Sequence, residues 1–103
     1  MTPHLIRYTI KPEHTARNDE HLGAVFAELE AVRPVGLRYA AFKLNDGVSY
    51  VHFVWMDAQH EHRPAAQLAS LRAFHAGIRE RCDHAPVRTE LSEIGAFGLF
   101  EAA

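Results

Sequence analysis

The chain has 103 residues, of which 48% are hydrophobic and 23% are charged. This is the composition of an ordinary globular protein, and it argues against disorder. The length predicts a single domain that spans residues 1–103. The formal net charge is -2 and the lysines and arginines are dispersed, so we expect neither a nucleic acid nor a membrane as a partner.

Cysteine content and the N-terminal segment bear on location. Cys82 is the single cysteine and cannot form an internal disulfide. The first residues lack the basic and apolar regions of a signal peptide, and no apolar run approaches the roughly 20 residues needed to cross a bilayer. These features predict a cytoplasmic protein.

The first 36 residues predict a strand followed by a helix. Residues 4–11 alternate, with Ile6, Tyr8 and Ile10 on one side, and stop at Pro12. From about residue 16 the apolar period becomes helical. We expect Asn18 or Asp19 to cap this helix and residues 34–36 to end it. The apolar stripe comprises Leu22, Val25, Phe26, Leu29 and Val32.

The stretch 36–57 predicts a β-hairpin. Two alternating runs meet at Asp46-Gly47, which is a strong signal for a two-residue turn. In this register Asn45 pairs with Val48. The other predicted pairs on the same face are Lys43 with Tyr50, Ala41 with His52, Tyr39 with Val54 and Leu37 with Met56. The opposite face is more apolar and carries Arg38, Ala40, Phe42 and Leu44 against Ser49, Val51, Phe53 and Trp55.

The remaining residues predict a helix and a fourth strand. Residues 60–64 form a polar connection, and a second helix then ends near Asp83. Residues 87–92 alternate as a strand, and Gly95 and Gly98 suggest a bend before the apolar Leu99-Phe100. The stripe of the second helix is Leu68, Leu71, Phe74 or His75, Ile78 and Cys82.

The order strand, helix, strand, strand, helix, strand predicts an α+β, ferredoxin-like βαββαβ fold with a four-stranded antiparallel sheet. Right-handed crossovers place both helices on one face of the sheet. We expect them to cover the more apolar face of the hairpin, with Trp55 as helix-packing core. Leu37, Tyr39, Val54 and Met56 would then lie on an open face, through which two copies pack as a homodimer.

Two segments carry a resemblance to a known family. Residues 8–13, YTIKPE, followed by the helix and then residues 33–39, RPVGLRY, are similar to a pattern of the antibiotic biosynthesis monooxygenase-like proteins of the dimeric α/β-barrel superfamily. The resemblance covers nearly the whole chain. It implies a ferredoxin-like protomer, a homodimer whose sheets form a barrel, and a pocket for a small molecule. Members include cofactor-independent oxygenases of polyphenols and quinols, haem-degrading enzymes and proteins without a known activity.

The haem-degrading branch resembles the chain in one residue and departs from it in others. His75 lies where that branch has a histidine on the second helix. The branch also uses an asparagine on the first strand, where this chain has Ile6. Its tryptophan corresponds to Trp55, which here is in the third strand. Haem binding through His75 is therefore kept as a minor alternative.

His52 is the candidate catalytic residue. An imidazole among phenols in a semi-apolar cavity suits a base that deprotonates a phenolic or enolic substrate, which can then react with O₂ without a cofactor. Tyr8, Tyr39 and Tyr50 are the candidate substrate-binding residues. The alternatives are a hydrogen-bonded interface histidine and tyrosines that serve only as strand and interface residues.

Other polar residues have weaker functional signals. His60 and His62 near Asp57 lack the third ligand that makes a zinc motif persuasive, so we predict a solvated loop and no metal site. We expect Cys82 to be a packing residue. A reactive thiolate needs a helix N-terminus or adjacent cations to lower its pKa, and Cys82 lies at the predicted C-terminus of a helix. Arg7 and Arg38 could either counter an anionic substrate or keep a sheet edge soluble.

The leading functional prediction is a small-molecule-binding dimeric α/β-barrel protein, with cofactor-independent monooxygenase activity on an aromatic or quinol-type substrate as the specific hypothesis. It requires no cofactor, and its expected partners are a second copy and a small aromatic molecule. The alternative is a non-catalytic ligand-binding or assembly module, which predicts a tightly packed barrel without room for a ligand.

Overall fold

The computed structural model describes residues 2–56 and 68–99. The four strands form one antiparallel sheet in the order β2-β3-β1-β4, which is the predicted ferredoxin-like arrangement. In the described part of the chain, no helix is long and apolar enough to cross a membrane. The elements are β1 Thr2–Ile10, α1 Thr15–Val32, β2 Leu37–Lys43, β3 Ser49–Met56, α2 Ala69–His75, α3 Ile78–Arg81 and β4 Cys82–Glu90.

The hairpin of β2 and β3 has the predicted register but a longer turn. Tyr39 pairs with Val54 and Ala41 with His52, as expected. Leu44 N donates to Ser49 O at 2.8 Å, so residues 45–48 form a four-residue loop in which Asn45 and Val48 are not a ladder pair. The carboxylate of Asp46 holds this loop closed by accepting from the backbone amides of residues 48 and 49, each at 2.9 Å.

The prediction of which sheet face the helices cover was wrong. The helices cover the face that carries Tyr39, Tyr50, His52 and Val54, and the last three of these are buried. The more apolar face is the open one, and Phe42 on it is 56% exposed. The prediction assumed that the helices would bury the more apolar face. The hydroxyl and imidazole groups of the covered face form hydrogen bonds with one another, so their burial does not leave polar groups without partners. Trp55, expected in the helix-packing core, lies on the open face beside Phe53, and Leu37 and Met56 lie on the covered side.

Helix α1 begins earlier than its predicted caps. A 3₁₀ turn at Pro12–His14 leads directly into Thr15, so Asn18 and Asp19 lie within the helix. Proline starts this turn because its fixed φ suits the first helical position and its missing N–H costs nothing there. The Asn18 side chain is fully buried and faces the sheet. The helix ends at Val32, before Pro34, as predicted.

The second predicted helix is two short helices. Gly77, with φ of 79°, breaks the run between α2 and α3, and β4 starts at Cys82 rather than at Val87. A left-handed φ favours glycine. Arg81 stabilises the break, because its guanidinium donates to the carbonyls of Phe74 and Ala76. Residues 91–99 contain neither helix nor strand. The predicted connection at 60–64 and Phe100 lie outside the described residues.

The core lies between the sheet and the helices. It is formed by the two inner strands, β1 and β3, and by buried residues of α1 and α2. The buried hydrophobic cluster comprises Tyr8, Ile10, Leu22, Val25, Tyr50, Leu68, Leu71, Phe74, Ile78 and Cys82.

Helix α1 offers a matched pair of valines for a test of this core. Val25 is 1% exposed and Val32 is 54% exposed. We expect Val25→Ala to lower the free energy of unfolding by about 2 kcal/mol, since it deletes two buried carbon atoms and leaves a cavity. Val32→Ala should change it by less than about 0.5 kcal/mol. Urea denaturation measures both, and equal losses would contradict the assignment of the buried face.

Candidate functional site

A histidine with both ring nitrogens engaged lies at the centre of the covered sheet face. His52 on β3 is 1% exposed. Its Nε2 lies 2.7 Å from the hydroxyl of Tyr8 on β1, and its Nδ1 lies 2.7 Å from the hydroxyl of Tyr39 on β2. Because β3 lies between β1 and β2, inward-facing residues of three adjacent strands meet at this imidazole.

Helix α1 adds a fourth member. Asn18 Nδ2 donates to the Tyr8 hydroxyl oxygen at 3.2 Å. A neutral imidazole has one donor and one acceptor nitrogen, so the two tyrosines must play opposite hydrogen-bonding roles toward His52. We refer to Asn18, Tyr8, His52 and Tyr39 as the polar chain.

Aromatic rings enclose the polar chain. The Phe74 ring lies 5.8 Å from the imidazole of His52, between centroids. Phe26 meets the Tyr39 ring edge-on at 5.4 Å, and Tyr8 stacks on Tyr50 at 5.2 Å. These contacts exclude water and hold the rings in place.

Burial keeps the polar chain uncharged. It lowers the pKa of His52 to about 4, with a smaller contribution from the positive charge that His75 can carry. Burial also raises the pKa of Tyr39 to about 12 and raises the pKa of Tyr8. At neutral pH the cluster is therefore one neutral imidazole between two neutral phenols.

Tyr50 shares the ring stack but has a different hydrogen-bond partner. Its hydroxyl donates to Asp19 Oδ1 at 2.5 Å, and Lys43 Nζ lies 2.5 Å from the other oxygen of that carboxylate. Burial raises the pKa of Tyr50, and the hydrogen bond to the Asp19 carboxylate raises it further by a smaller amount. This tyrosine thus connects the buried ring stack to a charged pair at the protein surface.

Two grooves lie between α1 and β2, on either side of Phe26. The first has a volume of about 300 Å³ and includes Tyr39, the outer member of the polar chain. The second, of about 350 Å³, includes Asp19, Lys43 and Tyr50. The first groove is lined by Phe26, Leu29, Glu30, Arg33, Pro34, Leu37 and Tyr39.

A third cavity lies on the open face of the sheet. It has a volume of about 430 Å³, and its lining is mostly apolar. The segment after β4 closes one side of it, although Ile94 and Phe97 in that segment are 98% and 99% exposed. Its sheet residues are Pro3, Ala40, Phe42, Phe53 and Trp55.

The predicted site residues are therefore partly brought together. His52, Tyr8 and Tyr39 are hydrogen-bonded neighbours, and Tyr50 joins them only through its ring. His75 is exposed at the end of α2, and among the described residues it lines none of the three cavities above.

The structure also bears on Cys82 and on the possibility of a metal site. Cys82 is buried in the hydrophobic cluster and burial raises its thiol pKa, which fits the expected packing role. Within residues 2–56 and 68–99, no three histidine, cysteine or acidic side chains could together hold a metal ion. The predicted loop with Asp57, His60 and His62 lies outside that range.

Asn18 and Asp19 were missed as members of the site because they resembled helix caps. The spacing contained a signal for Asn18. It lies four residues before Leu22 and seven before Val25, which places it on the buried stripe of α1. A polar residue on an apolar stripe needs a buried partner, and that partner is Tyr8.

Comparison with known proteins identifies the fold. No protein-family model and no curated protein matches the sequence. The chain is similar to the structure of Rv0793 from Mycobacterium tuberculosis, with 17% identity, a TM-score of 0.74 and coverage of 92% of this chain and 96% of that one. It is also similar to SnoaB, a cofactor-independent oxygenase from Streptomyces nogalater, with 17% identity, a TM-score of 0.69 and coverage of 94% and 96%.

A further similar structure is an antibiotic biosynthesis monooxygenase, with 13% identity, a TM-score of 0.73 and coverage of 92% of this chain and 100% of that one. The predicted resemblance to antibiotic biosynthesis monooxygenase-like proteins is confirmed by these structures. At such identities the likeness establishes the shared fold, and the chemistry must be argued from this chain's own residues.

The low pKa of His52 predicts a pH dependence of stability. The folded value of about 4 lies below the ordinary 6.5, so the unfolded chain binds the proton more readily. The contribution of His52 to the free energy of unfolding is complete above pH 6.5 and is lost as the pH falls toward 4. This contribution is about 3 kcal/mol.

We expect urea denaturation from pH 7 to 4.5 to show a loss in the wild-type protein that is about 2 kcal/mol larger than in His52→Gln. Comparison of the two proteins cancels the contributions of other titrating groups. An identical pH dependence in both proteins would contradict a neutral, buried His52.

Proposed function

We propose that the protein binds a small hydroxylated aromatic or quinol-type molecule and oxidises it with O₂ as a cofactor-independent monooxygenase. The observation that carries this proposal is a buried, neutral imidazole, hydrogen-bonded to two phenols, whose outer phenol lines a groove of about 300 Å³. In this role His52 is the base, Tyr39 and Tyr50 contact the substrate from the grooves that they line, and Tyr8 holds Nε2 of His52. The fold shared with a cofactor-independent oxygenase supports the proposal as an analogy.

The chemistry balances without a cofactor. A phenol with hydrogen at its para carbon takes one oxygen atom from O₂ at that carbon. Its O–H and C–H hydrogens leave with the second oxygen atom as water, and the product is a quinone. The substrate supplies all four electrons. Removal of the phenolic proton is the step for which the protein must provide a base, because the phenolate gives an electron to O₂ far more readily than the phenol does.

His52 is suited to this step despite its low pKa. The imidazole is unprotonated throughout the neutral range and is therefore ready to accept a proton. A phenolate formed nearby would stabilise the imidazolium, since an opposite charge offsets the desolvation that lowers the pKa. The apolar ring enclosure supplies the dry surroundings that this ion pair and the reaction with O₂ require.

A second candidate function is favoured by the same hydrogen bonds. Both nitrogens of His52 already have partners, and the ring stack packs closely around Tyr8. These features also fit a non-catalytic ligand-binding or assembly module in which the polar chain only specifies the core. The two functions differ in one observable, the consumption of O₂. Haem binding is not carried further, because no cavity among those found in the described residues brings a ligand to the His75 imidazole.

The test of the enzymatic proposal is O₂ uptake with a panel of naphthols and anthrones, followed by mass spectrometry of the product formed from ¹⁸O₂. We expect one labelled oxygen atom per product molecule. His52→Ala should lower kcat/KM by about a hundredfold or more. His84→Ala, at an exposed position on β4, is the control and should retain activity. Binding without O₂ uptake would favour the non-catalytic module.

We also propose that the protein is a homodimer that packs through the open sheet face. This face is the opposite of the one expected from the sequence. Phe42 on it is 56% exposed beside Phe53 and Trp55, and the mostly apolar cavity there continues the patch. A monomer rarely leaves so continuous an apolar surface in water, and a second copy would cover it.

Light scattering at micromolar concentration tests this assembly. The wild-type protein should have twice the mass of one chain. Phe42→Glu should yield monomers, because it introduces a charge into the apolar surface of the proposed interface. Val35→Glu changes another exposed hydrophobic residue, 69% exposed and away from that face, and should leave the dimer intact. A monomeric wild-type protein would contradict the proposal.

A further inference from the structure

We propose that Tyr39 Oη is the atom that contacts the ligand hydroxyl, and that Asn18 is a positioning residue that sets the direction of the polar chain from the opposite end. The ligand class, a hydroxylated aromatic, rests on the function proposed above. The reversible direction of the chain is a property of the ligand-free protein and stands independently of it.

The first direction follows from the Asn18 amide. When Nδ2 donates to the Tyr8 oxygen, the Tyr8 hydroxyl hydrogen is free to point to His52 Nε2. The ring proton then lies on Nδ1 and is donated to the Tyr39 oxygen. The Tyr39 hydroxyl hydrogen is then available to a ligand in the first groove, which Tyr39 lines. In this state Tyr39 is a donor, suited to a ligand carbonyl or phenolate oxygen.

The second direction uses an atom that otherwise lacks a partner. Asn18 Oδ1 is buried and has no hydrogen-bond partner among the described residues. A half-turn of the carboxamide exchanges Oδ1 with Nδ2 and places an acceptor beside the Tyr8 hydroxyl. The Tyr8 hydroxyl can then donate to Asn18 Oδ1, and His52 Nε2–H can donate to the Tyr8 oxygen. The Tyr39 hydroxyl donates to His52 Nδ1. In this state the Tyr39 oxygen can accept the O–H of a phenol.

Only the second direction lets His52 act as a base through Tyr39. The ligand proton moves to Tyr39 Oη while the Tyr39 proton moves to Nδ1, which leaves a ligand phenolate and a His52 imidazolium. In the first direction Nδ1 already carries a hydrogen and cannot accept another. Asn18 therefore matters because its Oδ1 can accept the Tyr8 hydrogen and free Nε2 to carry the ring proton.

The ligand-free test measures which nitrogen of His52 carries the proton, by ¹⁵N NMR of histidine-labelled protein. Tyr39→Phe removes the acceptor for Nδ1–H, so we expect the proton to shift to Nε2. In the double variant Tyr39→Phe with Asn18→Leu, Tyr8 has no acceptor for its own hydrogen. The ratio of Nε2–H to Nδ1–H should then be about tenfold lower than in Tyr39→Phe alone, since a buried donor is left unpaired.

The double variant Tyr39→Phe with Asn45→Leu is the matched control, because Asn45 is an exposed asparagine in the hairpin loop. It should leave the ratio of Tyr39→Phe unchanged. Equal ratios in Tyr39→Phe and in the double variant with Asn18→Leu would overturn the role of Asn18, because a purely structural asparagine has no effect on the ring proton of a residue that it does not touch.

A second measurement uses the wild-type protein and does not depend on a variant folding. At saturation, 1-naphthol should give a higher ratio of Nε2–H to Nδ1–H than 1-methoxynaphthalene. The second probe has the same rings, but its ether oxygen can only accept a hydrogen bond. Identical ratios with both probes would overturn the contact at Tyr39. If neither probe binds, that contact and the proposed function both fail, whereas the ligand-free ratios still decide whether the chain reverses.

Discussion

The structure depends on the burial of one polar ring, the imidazole of His52, with both of its nitrogens satisfied. A buried polar group without partners would cost about 1–3 kcal/mol, and here two tyrosine hydroxyls at 2.7 Å remove that cost. The requirement ties three strands and helix α1 together, because Tyr8, Tyr39 and Asn18 come from different elements. The same requirement creates the only chemistry that we assign to the covered face, a neutral proton acceptor beside a phenol.

The polar character of the covered face also determines which side chains remain on the open face of the sheet. Hydrogen-bonded aromatic side chains occupy the layer under the helices, and the more apolar side chains, such as Phe42 and Phe53, remain on the open side. Our two proposals therefore place ligand binding and the association of two copies on opposite faces. The small molecule is proposed to enter beside α1, and a second copy to cover the side away from the helices.

The likeness to the three solved structures at identities of 13–17% shows that very different sequences adopt this backbone. Function on a shared fold is decided by the side chains that line its sites. In this chain those side chains are a histidine, three tyrosines and the asparagine of α1. They suit proton movement to and from a hydroxylated ring, and this chemistry distinguishes the proposed enzyme from a passive barrel.

The sequence by itself determined the element order, the ferredoxin-like topology and the hairpin register, because each depends on local periodicity and turn residues. It also determined that Tyr39, Tyr50 and His52 share one face, since alternation along paired strands settles that. Only the tertiary structure decided which face the helices cover, that Asn18 points inward, and that Tyr50 bonds to Asp19 instead of His52. Those outcomes depend on hydrogen bonds between residues far apart in the chain, whose combined satisfaction outweighs the simple preference for burying the more apolar face.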